Sequence, residues 1–280
     1  MSDTRPNLLF IMADDHASHA ISAYGSQINR TPNLHRIASA GMRFDSVFCT
    51  NSICTPSRAA ILTGTYNHVN GVTTLDTPMD NRLQTYPKLM QQAGYQTAIF
   101  GKWHLGHGPN HDPTGFDDWL VLPDQGDYHD PVMLGPDGEH RLTGYVTDLI
   151  TDLCLDWLEG RDRERPFALM CHHKAPHRTW EPDAAHVSMY EDETIPEPAS
   201  FWDDYSTRSG AASAARMRMM DLEEKDLKAP VPEGLTEEEE ISWRYQRYIK
   251  DYLRVVASID DNVGRMIDYL QASDLWENTV

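Results

Sequence analysis

The chain has 280 residues, 40% hydrophobic and 24% charged, enough to bury a sizeable core in one large domain or two. Its formal net charge of −19 argues against general nucleic-acid binding and gives no global attraction for a polyanion, so an anionic substrate must be held by cations placed locally. No apolar run approaches the roughly 20 residues of a membrane span, and Cys49, Cys54, Cys154 and Cys171 are too few at this length for a disulfide framework.

Met1 to Pro6 show no signal peptide, which leaves the location open between the cytoplasm and, if a leader precedes this sequence, the periplasm. Asn7 to Ala13 is an apolar run, read as a strand buried on both faces. Asp14-Asp15 ends it. Adjacent carboxylates are costly unless a cation compensates them. The pair either caps the next element or forms a hard-cation site, since oxygen donors suit calcium or magnesium. Thr31-Pro32 opens a helix that Gly41 ends. Met42 to Cys49 reads as a second strand. A helix beginning at Pro56 puts Cys54 near a helix N-terminus, where free N–H groups favour anions, and Arg58 one turn on.

Thr85 to Gly94 reads as a helix and Tyr95 to Phe100 as a strand. That strand runs into Gly101-Lys102-Trp103-His104-Leu105-Gly106, where Lys102 and His104 alternate and can face one pocket. Pro109 to about Gly138, rich in Gly, Pro and Asp, reads as a long loop on the active-site side. Leu142 to Gly160 is a helix, and Pro166 to Cys171 is a strand delivering His172-His173-Lys174-Ala175-Pro176-His177-Arg178. Residues 181–235 read as an irregular surface excursion. Thr236-Glu237-Glu238-Glu239 is a capping box opening a long helix to about Ala272, whose apolar stripe is core packing. Glu277 to Val280 looks like the entry to another strand. Strands alternating with helices predict an α/β fold with a mostly parallel central sheet flanked by helices. Each polar cluster follows a strand or a strand-to-helix turn, so all can converge at one edge.

Cys54-Thr55-Pro56-Ser57-Arg58, with Thr63-Gly64 downstream, resembles the signature of the type I sulfatases, formylglycine-dependent sulfuric ester hydrolases of the alkaline phosphatase superfamily. Three other places match in order. Asp14 and Asp15 match the family's first metal ligands, Lys102 and His104 its contacts to the substrate sulfate, and His177 a later active-site histidine. The resemblance implies that Cys54 is converted by a formylglycine-generating enzyme and joins Asp14 and Asp15 on a calcium ion, with magnesium as the alternative. One hydroxyl of the formylglycine hydrate would attack sulfur, and the other would collapse to the aldehyde and expel sulfate. Arg58 would orient the hydrate and Lys102 would neutralise charge on the sulfuryl oxygens. His104 or His177 would protonate the leaving oxygen; the family's usual donor matches His177.

His172 to Arg178 with Trp180, and the Tyr245–Leu253 stretch, lean towards bacterial glycan sulfatases such as N-acetylglucosamine-6-sulfatase-like enzymes. A sulfated small molecule or glycan is the implied substrate, with no nucleic acid and no membrane as partner. Trp103, Trp119 and Trp180 are either sugar-stacking platforms or core residues. His172, His173, His107 and Lys174 read as structural or supporting residues. Family members continue past the long helix into a strand carrying the remaining metal ligands, then a smaller C-terminal domain. Residues 1–280 are therefore expected to be the N-terminal catalytic domain, truncated before that strand, binding metal poorly and inactive alone. Two rival readings are a phosphonate monoester or phosphodiester hydrolase of the same superfamily and a non-catalytic fragment that binds sulfated glycans.

Overall fold

The structure, a computed structural model describing residues 5–280, is built on one six-stranded sheet. Its strands are β1 (Leu8–Met12), β2 (Gln96–Lys102), β3 (Asp118–Leu122), β4 (Val132–Gly135), β5 (Gly138–Arg141) and β6 (Phe167–His172), in spatial order β1-β6-β2-β3-β4-β5. The pairs β1–β6, β6–β2 and β2–β3 are parallel, and β3–β4–β5 is an antiparallel extension. The helices are α1 (Pro32–Ala40), α2 (Cys54–Thr63), α3 (Asn67–Asn70), α4 (Tyr86–Gln92), α5 (Val146–Gly160), α6 (Gly210–Ser213), α7 (Glu224–Leu227) and α8 (Glu237–Ala272). This is the expected α/β architecture. No helix among the described residues is long and apolar enough to cross a membrane.

Strand alternation sorts the core into two layers. Ala98 and Phe100 of β2, with Leu169 and Cys171 of β6, face α5 and α8 and pack with Ile150, Cys154, Val256 and Val263. Ile99 and Met170 face the other way, against Ala59 and Leu62 of α2. The sheet thus sits between α5 and α8 on one side and α2 on the other. The capping box opens α8: Thr236 Oγ1 accepts from the Glu239 N–H at 3.3 Å, and Glu239 Oε2 accepts from the Thr236 N–H at 2.8 Å.

The register brings the carboxyl ends of the parallel strands level, with Met12 beside His172 and Gly101 beside His172. Gly101 makes that approach possible. Its φ is +106°, and a Cβ there would lie 2.0 Å from the His172 carbonyl oxygen. At the outer edge of β1, the Leu9 N–H donates to Val280 O and the Val280 N–H to Asn7 O, both at 2.8 Å. Those bonds agree with Glu277 to Val280 entering a strand.

Three readings are corrected. Met42 to Cys49 is irregular, with Met42, Phe44, Val47 and Phe48 between 62% and 91% exposed. Its apolar pattern suits a strand, but no neighbouring strand among the described residues pairs its backbone. The Pro109–Gly138 stretch is not one loop: β3 extends the parallel sheet and β4 begins a hairpin. Third, β1 is half-buried rather than buried on both faces, and Phe10 is 38% exposed, because the strand lies at the sheet edge.

Candidate active site

After β1 the chain turns sharply. The Asp14 N–H donates to Ala175 O at 3.1 Å, and Asp15 adopts a left-handed φ of 66°. Tyr252 of α8 pins this turn, accepting from the Ala17 N–H at 2.7 Å and donating to Asp15 O at 3.0 Å. Asp14 is thereby turned inward and buried, while the Asp15 carboxylate is exposed. Helix α2 starts at Cys54, so the cysteine sits on its first turn, and Arg58 lies one turn further on, also buried. Strand β2 ends on Lys102, and His104 follows with a left-handed φ of 54°.

These side chains meet around Asp14. Lys102, 0% exposed, donates through Nζ to Asp14 Oδ2 and to Gln125 Oε1. Arg58 Nη2 lies 3.6 Å from Asp14 Oδ2, and its Nη1 donates to the Lys102 carbonyl at 2.6 Å. His172 Nδ1 donates to the same carbonyl at 3.2 Å. Burial opposes ionisation of Asp14, but Arg58 and Lys102 outweigh it and hold the carboxyl below the usual range. Burial pulls the Lys102 ammonium down, and Asp14 offsets that in part.

The Cys54 thiol is pushed up, first by burial and then by Asp14. An unmodified Cys54 is therefore a thiol and a weak nucleophile here. Burial, then Lys102 and Arg58, brings His104 down to about 4, so it is neutral at neutral pH. His177 donates from Nδ1 to Arg178 O at 2.7 Å, and its Nε2 lies 3.8 Å from Asp15 Oδ2. Tyr128 donates its hydroxyl proton to His177 O at 2.6 Å.

The sequence-predicted residues thus gather at one sheet edge. Ligating atoms of Asp14, Cys54 and His177 all lie within 4.8 Å of one another, which makes them a possible metal site. Asp15 stands beside His177, outside that triple. The Asp14 carboxylate of that triple suits a hard cation, and the Asp15 carboxylate borders it. Around it, Arg58 Nε, His104 Nδ1 and His16 Nε2 are buried without a partner among the described residues, and the Arg58 N–H suits an acceptor or anion rather than the cation. A cleft of about 490 Å³ is lined by Asp14, Asp15, His16, Cys54, Ser57 and Arg58.

Sequence reasoning missed His16, Gln125, Tyr128 and Tyr252. His16 adjoins the Asp pair, a signal that was available; the other three reach the site from distant loops and helices. Lys174 is buried over the Tyr128 ring, 4.6 Å from its centroid, and burial lowers it to about 8. Trp103 and Trp180 are core residues at 2% and 6% exposure, not sugar platforms. Trp119 is half-buried on β3.

A family model described as Sulfatase matches residues 6–280. The chain is 39% identical to the N-acetylglucosamine-6-O-sulfatase of Bacteroides thetaiotaomicron, over 99% of this chain and 57% of that protein. It is 32% identical to human N-acetylgalactosamine-6-sulfatase over 66% of this chain and 40% of that one. Among solved structures, it superposes with a TM-score of 0.94 and 38% identity on BT4656 in complex with its substrate D-glucosamine-2-N,6-O-disulfate, covering 98% of this chain and 64% of that one. A phosphonate monoester hydrolase of Agrobacterium radiobacter shares the fold, with a TM-score of 0.67 and 21% identity over 98% of this chain and 61% of that one. The chain therefore spans a little over half the length of the first of these relatives.

Proposed function

The chain belongs to the sulfatase family, and from that premise we propose that it carries the nucleophile side of a sulfate-ester hydrolase acting on a 6-sulfated amino sugar. The observation that carries the reading is the convergence of Cys54, Asp14 and Arg58 in one strand-end cleft, with Lys102 donating to Asp14 and His177 within reach of Asp14 and Cys54. The substrate class rests on the 39%-identical N-acetylglucosamine-6-O-sulfatase and on the bound 6-O-sulfated glucosamine of the 38%-identical structure.

Asp14, Asp15 and the residue at position 54 would hold a hard divalent cation, calcium or magnesium, since carboxylate oxygens suit both. The cation supplies positive charge beside the nucleophile, and formylglycine at position 54 supplies, as its hydrate, a hydroxyl in place of the thiol. The chain's own residues provide the rest. Arg58 is fixed through Nη1 on the Lys102 carbonyl, so its guanidinium keeps one orientation beside position 54. Lys102 is anchored by Asp14 and Gln125 as a preorganised positive charge for the sulfuryl oxygens. His104, held neutral, offers its unpartnered Nδ1 as a hydrogen-bond contact rather than a charge. His177 keeps Nδ1 on Arg178 O and turns Nε2 towards Asp15, from where it would serve as proton donor to the leaving oxygen.

Peptide mass analysis around residue 54, on protein produced with a formylglycine-generating enzyme, tests this directly. The expected peptide has lost sulfur and gained oxygen. An intact thiol in protein that still turns over substrate would remove the nucleophile assigned here.

A further inference from the structure

The orientation of the His177 ring depends on the residue that follows it, because Nδ1 donates to the Arg178 carbonyl. Arg178 is in turn held from outside the site. Its guanidinium makes a two-pronged contact with Asp226, Nε to Oδ1 at 2.6 Å and Nη2 to Oδ2 at 2.5 Å. Asp226 is 0% exposed, and its Oδ2 also accepts from the Glu223 N–H at 2.8 Å.

Asp226 lies on α7, within the otherwise irregular 181–235 stretch, and α7 is fastened to α8. Arg247 Nε donates to Leu227 O at 2.9 Å. Lys228 donates to Asp251 Oδ2 at 2.9 Å, and on the other side to Thr179 O at 2.9 Å and Asp226 O at 3.1 Å. A chain of fixed contacts therefore runs from α8 through α7 to Arg178 and on to the imidazole. A buried carboxylate is tolerated only when fully paired, and a bidentate guanidinium contact fixes direction as well as charge. Such a contact restricts the backbone of the residue that carries it.

We propose that Asp226 is a positioning residue for His177. By clamping Arg178 it fixes the carbonyl that accepts the Nδ1–H hydrogen bond, and so holds Nε2 beside Asp15. The inference rests on His177 being the proton donor to the leaving group. A sugar alkoxide needs that proton, whereas 4-nitrophenolate leaves without it. The clamp therefore predicts a split between two esters, which general loosening of the fold would not produce.

The test uses Asp226→Asn in the whole protein, calcium-loaded and carrying formylglycine. On 6-sulfated glucosamine, kcat is expected to fall by about 10–100-fold with KM little changed, while 4-nitrophenyl sulfate stays within about threefold of wild type. Asp226→Glu, which keeps the carboxylate, is expected to recover part of the loss. In ¹⁵N-histidine spectra, the hydrogen-bonded Nδ1–H signal of His177 should be present in wild type and shifted in Asp226→Asn. If that variant does not fold, the R178Q plus D226N pair, which leaves no lone buried charge, is read in the same way. An unmoved His177 signal, or equal slowing of both esters, overturns the proposal. The spectra need no turnover, so a wild-type protein that hydrolyses neither ester sinks the sulfatase reading while the signal still decides on the clamp.

Discussion

At the scale of single residues, Asp14 organises the site. It is a buried carboxylate with Lys102 donating to it and Arg58 3.6 Å away, so three charges share one small volume. Removing one partner of such a group leaves charge uncompensated in a dry pocket. Lys102→Met is therefore expected to cost about 3 kcal/mol of stability, less whatever Arg58 recovers. It should also lower kcat by about 10²–10³, as for loss of one fixed charge aimed at a developing anion. Urea unfolding and steady-state rates on a sulfate ester check the two effects separately. Lys102→Arg should not rescue, because a fully buried ammonium pocket lacks room for a guanidinium fork.

At the scale of elements, the polar clusters were legible because short apolar strands end on them. Leu8–Met12, Gln96–Lys102 and Phe167–His172 each read as a strand, and Asp14, Lys102 and His177 follow at the same sheet edge. Helix α8 was legible from its capping box. β3 was not, since five apolar-centred residues inside a Gly-, Pro- and Asp-rich stretch carry too little pattern. Nor were the supports of the site. Tyr252 is 237 residues from Asp15, and Asp226 is 48 from Arg178, separations that no local pattern encodes. Met42 to Cys49 shows the converse, a strand-like pattern without a partner.

Another long-range element contact carries a pH signature. His186 donates from Nδ1 to Asp183 Oδ1 at 2.8 Å, and its Nε2 lies 3.4 Å from Asp261 of α8. The Asp183 hydrogen bond, then the charges of Asp183 and Asp261, raise the imidazole above its ordinary 6.5 against the effect of burial. A folded value above the unfolded one means the stabilisation is fully present below 6.5 and is lost as pH rises through the raised value. His186→Gln should thus cost about 1 kcal/mol, or about 2–4 °C in Tm, in mildly acidic buffer, and progressively less in alkaline buffer. Thermal melts of both proteins across that range check the sign.

At the scale of the whole molecule, a net charge of −19 coexists with a site in which Arg58 and Lys102 stand against the carboxylates of Asp14 and Asp15. On the proposed reading, positive charge for a sulfate group is supplied locally by Arg58 and Lys102, and selectivity is expected to come from contact geometry. Met42, Phe44, Val47 and Phe48, together with Phe10, leave apolar surface open to water. Exposed apolar side chains clustered in one segment, as at 42–48, can bind apolar probes. The 280-residue chain is therefore expected to enhance the fluorescence of a hydrophobic dye, and Phe44→Ser with Phe48→Ser should reduce that enhancement. The central claim, sulfate-ester hydrolysis from position 54, is tested most directly by one comparison on the protein at its natural length: kcat/KM for glucosamine 6-sulfate against glucosamine 6-phosphate, each with wild type and Cys54→Ala. The expected result is preference for the sulfate ester and loss of its turnover in Cys54→Ala; preference for the phosphate, or sulfate turnover that survives the substitution, would contradict it.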